Sequence, residues 1–381
     1  MPKKRGNNEG SIRQRKDGTW EGRYVAGYKA DGKTNRKSVF GKTQKEVQVK
    51  IRETLRQLDR REYVEPSRIT VEQWLDTWYG LYVANNLKPS TAVSYRNICD
   101  YYLKTSIGSL KLQALRQENV QAMVNELNLS KLKPATVKKV YMVLKTALQR
   151  AVRNQILISN PALYTILPKL NQDEIQFLTR NEQQELLDAL PDSANGRALR
   201  FILGTGLRAS ELIGLRWSDI HGDCLTVSQT IQRRGNLEKG KGTCIYFGTP
   251  KSKAGHRTVP LTAKMEDLLR VHKRLQRARR LQIGAAWQDN DLIFCTEMGT
   301  PNNDRNIART LDTALKNAGL AHRGLHALRH SFATRAVENG MDTRTLSEIL
   351  GHADVATTLR LYVHTSIDTK REAMRGMDRV L

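Results

Sequence analysis

The sequence predicts a multidomain α+β chain: a small N-terminal three-stranded sheet with one helix, an all-α middle segment, and a mainly α C-terminal part that carries a small β-sheet. Three observations lead there. At 381 residues the chain exceeds what one hydrophobic core usually organises. Its apolar residues alternate near the start, recur at helical spacing through the middle, and mix both periods afterwards. Short composition breaks at residues 62–68 and at Ser159-Asn160-Pro161 and Pro168 separate three segments, 1–64, 69–168 and 173–381.

In the first segment, residues 1–61 hold 18 Lys or Arg against 7 Asp or Glu, a net +11 and the most concentrated basic stretch of the chain. Trp20, Tyr24, Ala26 and Tyr28 alternate, Asp17-Gly18 and Asp31-Gly32 are turn signals, and Ser38-Val39-Phe40 forms a third short run. A helix is expected next, because Thr43 and Glu46 form a capping box and Val47, Ile51, Leu55 and Leu58 share one face. The aromatics are assigned to the core and the Arg and Lys side chains to a contact surface.

The second segment starts a helix near Thr70, with Trp74, Leu75, Trp78, Leu81 and Tyr82 on one stripe. Further helices are expected after Pro89-Ser90, around Gln117–Leu127, and from Pro134, where Val137, Tyr141, Leu144 and Leu148 repeat. Lys138, Lys139, Lys145, Arg150 and Arg153 lie off that apolar face, suited to tracking phosphates or simply solvated. The third segment reads as helix over Glu182–Leu190 and Leu199–Leu215. Short strands follow at Cys224–Val227, Cys244–Phe247 and Arg257–Leu261, and then helices to the end.

Charge narrows the function. Lys and Arg outnumber Asp and Glu by 63 to 38, a formal charge of +25, which points to a polyanionic partner and first of all to nucleic acid. No segment approaches the roughly 20 apolar residues of a spanning helix, so no membrane partner is expected. No apolar stretch follows MPKKRGNNEG, so a secretory signal is not expected either, and a cytoplasmic location is. Cys99, Cys224, Cys244 and Cys295 stand singly, without the close pairs of zinc or redox motifs, so neither a metal nor a disulfide is expected.

Gly206-Leu207-Arg208-Ala209-Ser210-Glu211 sets an Arg and a Glu three apart at a helix start, where the carboxylate can hold the guanidinium. Taken alone, such a pair is usually a surface salt bridge. Downstream, Leu325-His326-Ala327-Leu328-Arg329-His330 puts His326 and Arg329 on one helical face; Leu350-Gly351-His352 and Leu361-Tyr362 follow. His330 reads as a packed helix histidine, and His364 only flanks the set.

The ordered set Arg208, a Lys in a β-turn, His326-x-x-Arg329, His352 and Tyr362 resembles the catalytic signature of the tyrosine recombinases, phage and transposon integrases in particular. The resemblance covers the whole chain. It implies an arm-type DNA-binding domain at 1–64, a helical core-binding domain at 69–168 and a catalytic domain at 173–381. It also implies strand cleavage and rejoining through a 3'-phosphotyrosine at Tyr362, by a homotetramer on paired double-stranded attachment sites, with no cofactor. A host DNA-bending protein, an excision factor and nucleoid association come with that family. The general acid implied is a Lys within Thr249–Arg257: Lys251 fits the Pro-Lys-Ser/Thr pattern, and Lys253 stays open as the alternative.

The residue types suit this chemistry independently of the family. Phosphoryl transfer concentrates charge on the non-bridging oxygens, which Arg208 and Arg329 can meet as paired forks. A tyrosine hydroxyl with an ordinary pKa near 10 needs a base and a positive field, which assigns His326 as base and His352 as a donor to a non-bridging oxygen. Glu211 is a supporting residue. Met374, Met377 and Leu381 form a small apolar stripe after Tyr362, for docking on a neighbouring protomer or on its own domain. Two other readings stand beside this one. A type IB topoisomerase uses similar residues, although the basic N-terminal module argues against it. A non-catalytic regulator would use Thr345–Tyr362 as a helix-turn-helix.

Overall fold

The computed structural model describes residues 11–28, 31–59, 64–170, 176–235, 242–250, 253–352 and 354. It divides into two compact units, Met1–Asn171 and Gln172–Leu381.

The first unit opens with an antiparallel sheet, β1 (Ser11–Gln14), β2 (Trp20–Tyr28) and β3 (Thr34–Gly41), in that order. Gly18 and Gly32 take the positive φ that the two connecting turns require. Helix α1 (Gln44–Asp59) covers one face, where Val47 and Ile51 pack on Tyr24. Gly22 is required at that contact, because a Cβ there would lie 2.4 Å from the Val47 side chain. The Thr43 hydroxyl accepts from Glu46 N at 3.2 Å, as expected, but the Glu46 carboxylate accepts from Lys42 N, one residue outside the expected box.

Helices α2 (Val71–Trp78), α3 (Pro89–Ile98), α4 (Lys104–Ile107), α5 (Gln117–Leu129) and α6 (Pro134–Arg153) make up the rest of this unit. Thr70 caps α2 through a reciprocal pair with Gln73. The predicted stripe fails at one position. Leu81 is 63% exposed, because a π turn at Tyr79–Val83 adds a residue to the helical repeat and turns Tyr79 and Val83 inward instead. The stripe of α6 holds, with Val137, Tyr141, Leu144 and Leu148 all buried.

The second unit runs α7 (Arg180–Ala189), α8 (Ala194–Thr205) and α9 (Ala209–Gly214), then strands β4 (Ile220–His221), β5 (Cys224–Val227), β6 (Thr230–Gly235), β7 (Thr243–Gly248) and β8 (Arg257–Pro260). It ends with helices α10 (Ala263–Ile283), α11 (Asp304–Asn317), α12 (Leu325–Glu338) and α13 (Thr343–Leu350). Strands β4, β5 and β8 form one antiparallel sheet and β6 and β7 a hairpin. Two of these strands, β4 and β6, carry no expectation from the sequence.

Helix α8 is the central element, with Leu199, Phe201 and Ile202 fully buried and α10, α11 and α12 packed around it. The single helix expected over Leu199–Leu215 is instead two. Gly206 takes a left-handed conformation (φ 67°) that closes α8, and Arg208 caps α9. The break turns the chain so that Arg208 starts a new helix instead of continuing the old one.

Candidate active site

The break at Gly206 sets out the ionic centre of the second unit. Arg208 is the N-cap of α9 and Glu211 its third residue, so the Glu211 carboxylate folds back to accept from Arg208 N at 3.0 Å. The same carboxylate accepts from Arg208 Nη1 at 2.7 Å. Glu211 is 2% exposed, and burial alone would raise its pKa. The hydrogen bonds and charge of Arg257, followed by Arg208, hold it below the ordinary carboxylate range.

Arg257 lies at the start of β8, on the inward face with Val259. It grips both oxygens of Glu211, Nη1 to Oε1 at 3.2 Å and Nη2 to Oε2 at 2.9 Å. Arg329, on the second turn of α12, is also 2% exposed, and its Nη1 lies 4.0 Å from Glu211. Three guanidiniums therefore surround one carboxylate, an excess of two positive charges, with Arg257 and Arg329 buried and the Arg208 side chain 36% exposed. Burial first, and Arg208 second, lower the Arg329 pKa to about 9, so it remains cationic at neutral pH. An anion reaching this cluster is bound against an uncompensated field.

The cations are also aimed at one helix end. The last carbonyls of α13 carry its negative dipole end, and all three arginines meet them. Arg257 Nε donates to Ile349 O at 2.5 Å, Arg329 Nη2 to Leu350 O at 2.6 Å, and Arg208 Nη2 reaches Gly351 O at 3.4 Å. Arg329 Nη1 donates to Gly206 O at 2.9 Å, tying the end of α8 to the same centre. Gly351 closes α13 in the left-handed region (φ 65°), and His352 follows directly.

His326 sits in the first turn of α12, with His330 edge-on to it at 4.6 Å between ring centroids. Burial, then Arg329 and Arg208, lower the His326 pKa, which keeps the ring neutral at pH 7. Burial and the arginines lower His352 to about 4, and burial with His326 lowers His330 to about 4. Arg208 and His326 line a cleft of about 430 Å³ with Thr230, Gln232 and Arg233 from β6. His352 lines a neighbouring cleft of about 470 Å³ with His256, Arg257 and Ser347.

Of the residues singled out from sequence, Arg208, Glu211 and Arg329 meet in one cluster, His326 shares a cleft with Arg208, and His352 adjoins the carbonyl that Arg208 reaches. Lys251 and Tyr362 lie outside the described residues, as do His364 and the Met374–Leu381 stripe. Lys253 begins a short 3-10 turn, Lys253–Gly255, and its side chain is likewise outside the description. Arg257 was not singled out. Its signal is a charged residue in phase with Val259 on a half-buried strand, where alternation calls for an apolar side chain.

Comparison with known proteins points the same way. Residues 176–368 match the model of the phage integrase family, and residues 70–128 match the N-terminal SAM-like domain of phage integrases. A tyrosine recombinase XerC-like protein of Caldanaerobacter subterraneus subsp. tengcongensis is 30% identical, over 91% of this chain and 93% of its own length. An integrase of Saccharopolyspora erythraea is 25% identical over 96% of this chain and 94% of its own. Among solved structures, the fold is similar to Tn1549 transposon integrase in complex with a circular intermediate DNA (TM-score 0.65, 21% identity, 81% of this chain and 99% of that one). It is also similar to a lambda integrase tetramer bound to a Holliday junction (TM-score 0.58, 18% identity, 94% and 96%). With a family match over more than half its length and a relative of 30% identity along nearly all of it, the chain belongs to the phage integrase family of tyrosine recombinases, enzymes of site-specific DNA recombination.

Proposed function

We propose that this recombinase cuts and rejoins double-stranded attachment sites through a 3'-phosphotyrosine at Tyr362, to integrate or excise a mobile element. The observation that carries the reading is the cluster of Arg208 and Arg329 about Glu211, cationic in excess, in which Arg208 and Glu211 line an open cleft with His326 while Arg329 lies buried behind them. Such a cluster is preorganised for the charge that develops on a phosphate in transfer.

In this reading the Tyr362 oxygen attacks the scissile phosphorus and the bond to the 5' oxygen breaks. His326, neutral at pH 7, takes the tyrosine proton. Arg208 and Arg329 hold the non-bridging oxygens, and His352 donates to one of them. Lys251, with Lys253 as the alternative, protonates the leaving 5' oxygen. Attack by a 5' hydroxyl from the partner duplex reverses the step, so the phosphodiester energy is kept and neither a nucleotide nor a metal cofactor is called for. Residues 1–64 bind arm-type DNA, 69–168 bind the core site and 173–381 do the chemistry, in a homotetramer on paired sites. The net +11 of residues 1–61 supports the first assignment. A host DNA-bending protein and an excision factor complete the reading, with the enzyme at work in the nucleoid of a bacterial cytoplasm. Among the described residues no helix is long and apolar enough to cross a membrane.

The test uses a labelled duplex with a nick beside a candidate crossover, incubated with wild-type protein and with Tyr362→Phe. A denaturant-resistant adduct formed only by the wild type is the expected result. An adduct of equal yield from Tyr362→Phe overturns the nucleophile assignment.

A further inference from the structure

One guanidinium of the ionic cluster has no part in the reaction described above. Arg257 is 8% exposed, and each of its three side-chain nitrogens donates within the protein. Beyond Glu211 it donates to Ile349 O from Nε and to Gly255 O from Nη1 at 3.2 Å. Each acceptor belongs to a different functional element. Glu211 orients Arg208, Ile349 lies in the last turn of α13 just before His352, and Gly255 ends the turn that follows the lysine loop.

The packing leaves little freedom at this junction. A Cβ on Gly351 would lie 2.8 Å from Arg257 Nη1 and 2.8 Å from Ala254 O. Arg257 pairs with Val227 in the β5–β8 ladder, so its backbone is anchored in the sheet while its side chain spans to two helices. A planar fork reaches a carboxylate with one edge and a carbonyl with Nε at once; a lysine ammonium, a single point of donors, does not.

We infer that Arg257 is a positioning residue for strand cleavage: through Glu211 it fixes Arg208, and through the Ile349 carbonyl it fixes the end of α13 that presents His352. The inference rests on the function proposed above. In it the groups that meet the phosphate from α9 and from the α13 terminus share one rigid frame, and that frame is the β8 arginine. Loss of the fork removes no phosphate-contacting residue but loosens the hold on Arg208 through Glu211 and on the end of α13 that carries His352. A misplacement of about 1 Å in such a site slows chemistry by as much as about 100-fold.

The test measures single-turnover adduct formation on the nicked duplex at saturating DNA for full-length wild type, Arg257→Lys, Arg257→Met, Glu211→Gln and the double variant Arg257→Met with Glu211→Gln. DNA affinity and the unfolding midpoint are measured in parallel. Expected are rates about 10–100-fold lower in both Arg257 variants, with DNA affinity within about twofold of wild type. The double variant is expected to lose less than the product of the two single losses, because the two substitutions share the Arg257–Glu211 linkage. Wild-type rates in Arg257→Lys and Arg257→Met overturn the inference, as do multiplicative losses in the double variant. So does a parallel fall of rate, affinity and midpoint in both variants, which assigns Arg257 to the fold alone. If the wild type itself forms no adduct, the failure is that of the proposed function, and the inference falls with it.

Discussion

Buried charge and buried imidazole govern this protein at the residue scale. His272, 3% exposed on α10, shows the logic away from the active site. Its Nδ1 accepts from Arg197 Nε at 3.1 Å, so Nε2 carries the proton and donates to Ile293 O at 2.8 Å. Burial first, and Arg197 second, lower its pKa to about 4. Unfolded, the same ring titrates near 6.5, so between pH 6.5 and 4 the unfolded chain binds a proton that the folded chain refuses. Stability from this residue is therefore full above pH 6.5 and is lost as pH falls toward 4. Between pH 7 and 5 the loss is about 2 kcal/mol as an upper figure. In urea unfolding at the two pH values, His272→Gln is expected to show a smaller difference than wild type; an undiminished difference contradicts the assignment.

Much of this scale is readable in sequence. Arg208, Glu211 and Arg329 announce themselves by residue type and order, and they meet in one cluster. Arg257 does not, because its meaning depends on which face of a four-residue strand turns inward and on what the end of α13, far along the chain, brings to it. Those are tertiary facts. Hydrophobic alternation flags such a position only after the strand register is known.

At the scale of elements, the deciding feature is the interruption between α8 and α9. Apolar spacing runs on from Leu199 to Leu215 as though one helix continued, and the glycine that stops it stands in a run that otherwise favours helix. What overrides the periodicity is packing. A Cβ at Gly206 would lie 2.5 Å from the Phe332 ring and 2.9 Å from Leu350, so only glycine admits both the left-handed backbone and the close approach of α12 and α13. Gly206→Ala is expected to cost about 2–4 kcal/mol of stability, the sum of a left-handed alanine and a forced contact. It also shifts the carbonyl that holds Arg329, so adduct formation is expected to slow. A thermal midpoint equal to that of wild type contradicts this account. The π turn at Tyr79–Val83 follows the same lesson, since one added residue leaves the composition unchanged and rotates Leu81 from the core to solvent.

For the whole molecule, the mixed α+β architecture was legible because the apolar period differs from segment to segment. The basic sheet with its helix alternates, the middle helices repeat on one face, and the third segment changes period at its strands. The strands that sequence reasoning passed over, β4 and β6, are short or end in the charged run around Arg233, where alternation is weak. The charge of +25 suits a DNA recombinase, and the ionic cluster adds a cationic centre to that field. All of the proposed steps converge on one covalent bond. The measurement that tests them most directly is to digest the adduct formed on the nicked duplex, identify the peptide that carries the nucleotide, and determine which DNA end is blocked. The account predicts a Tyr362 peptide linked to a 3' phosphate, with a free 5' hydroxyl on the released strand. A linkage through another side chain, or to a 5' phosphate, contradicts it.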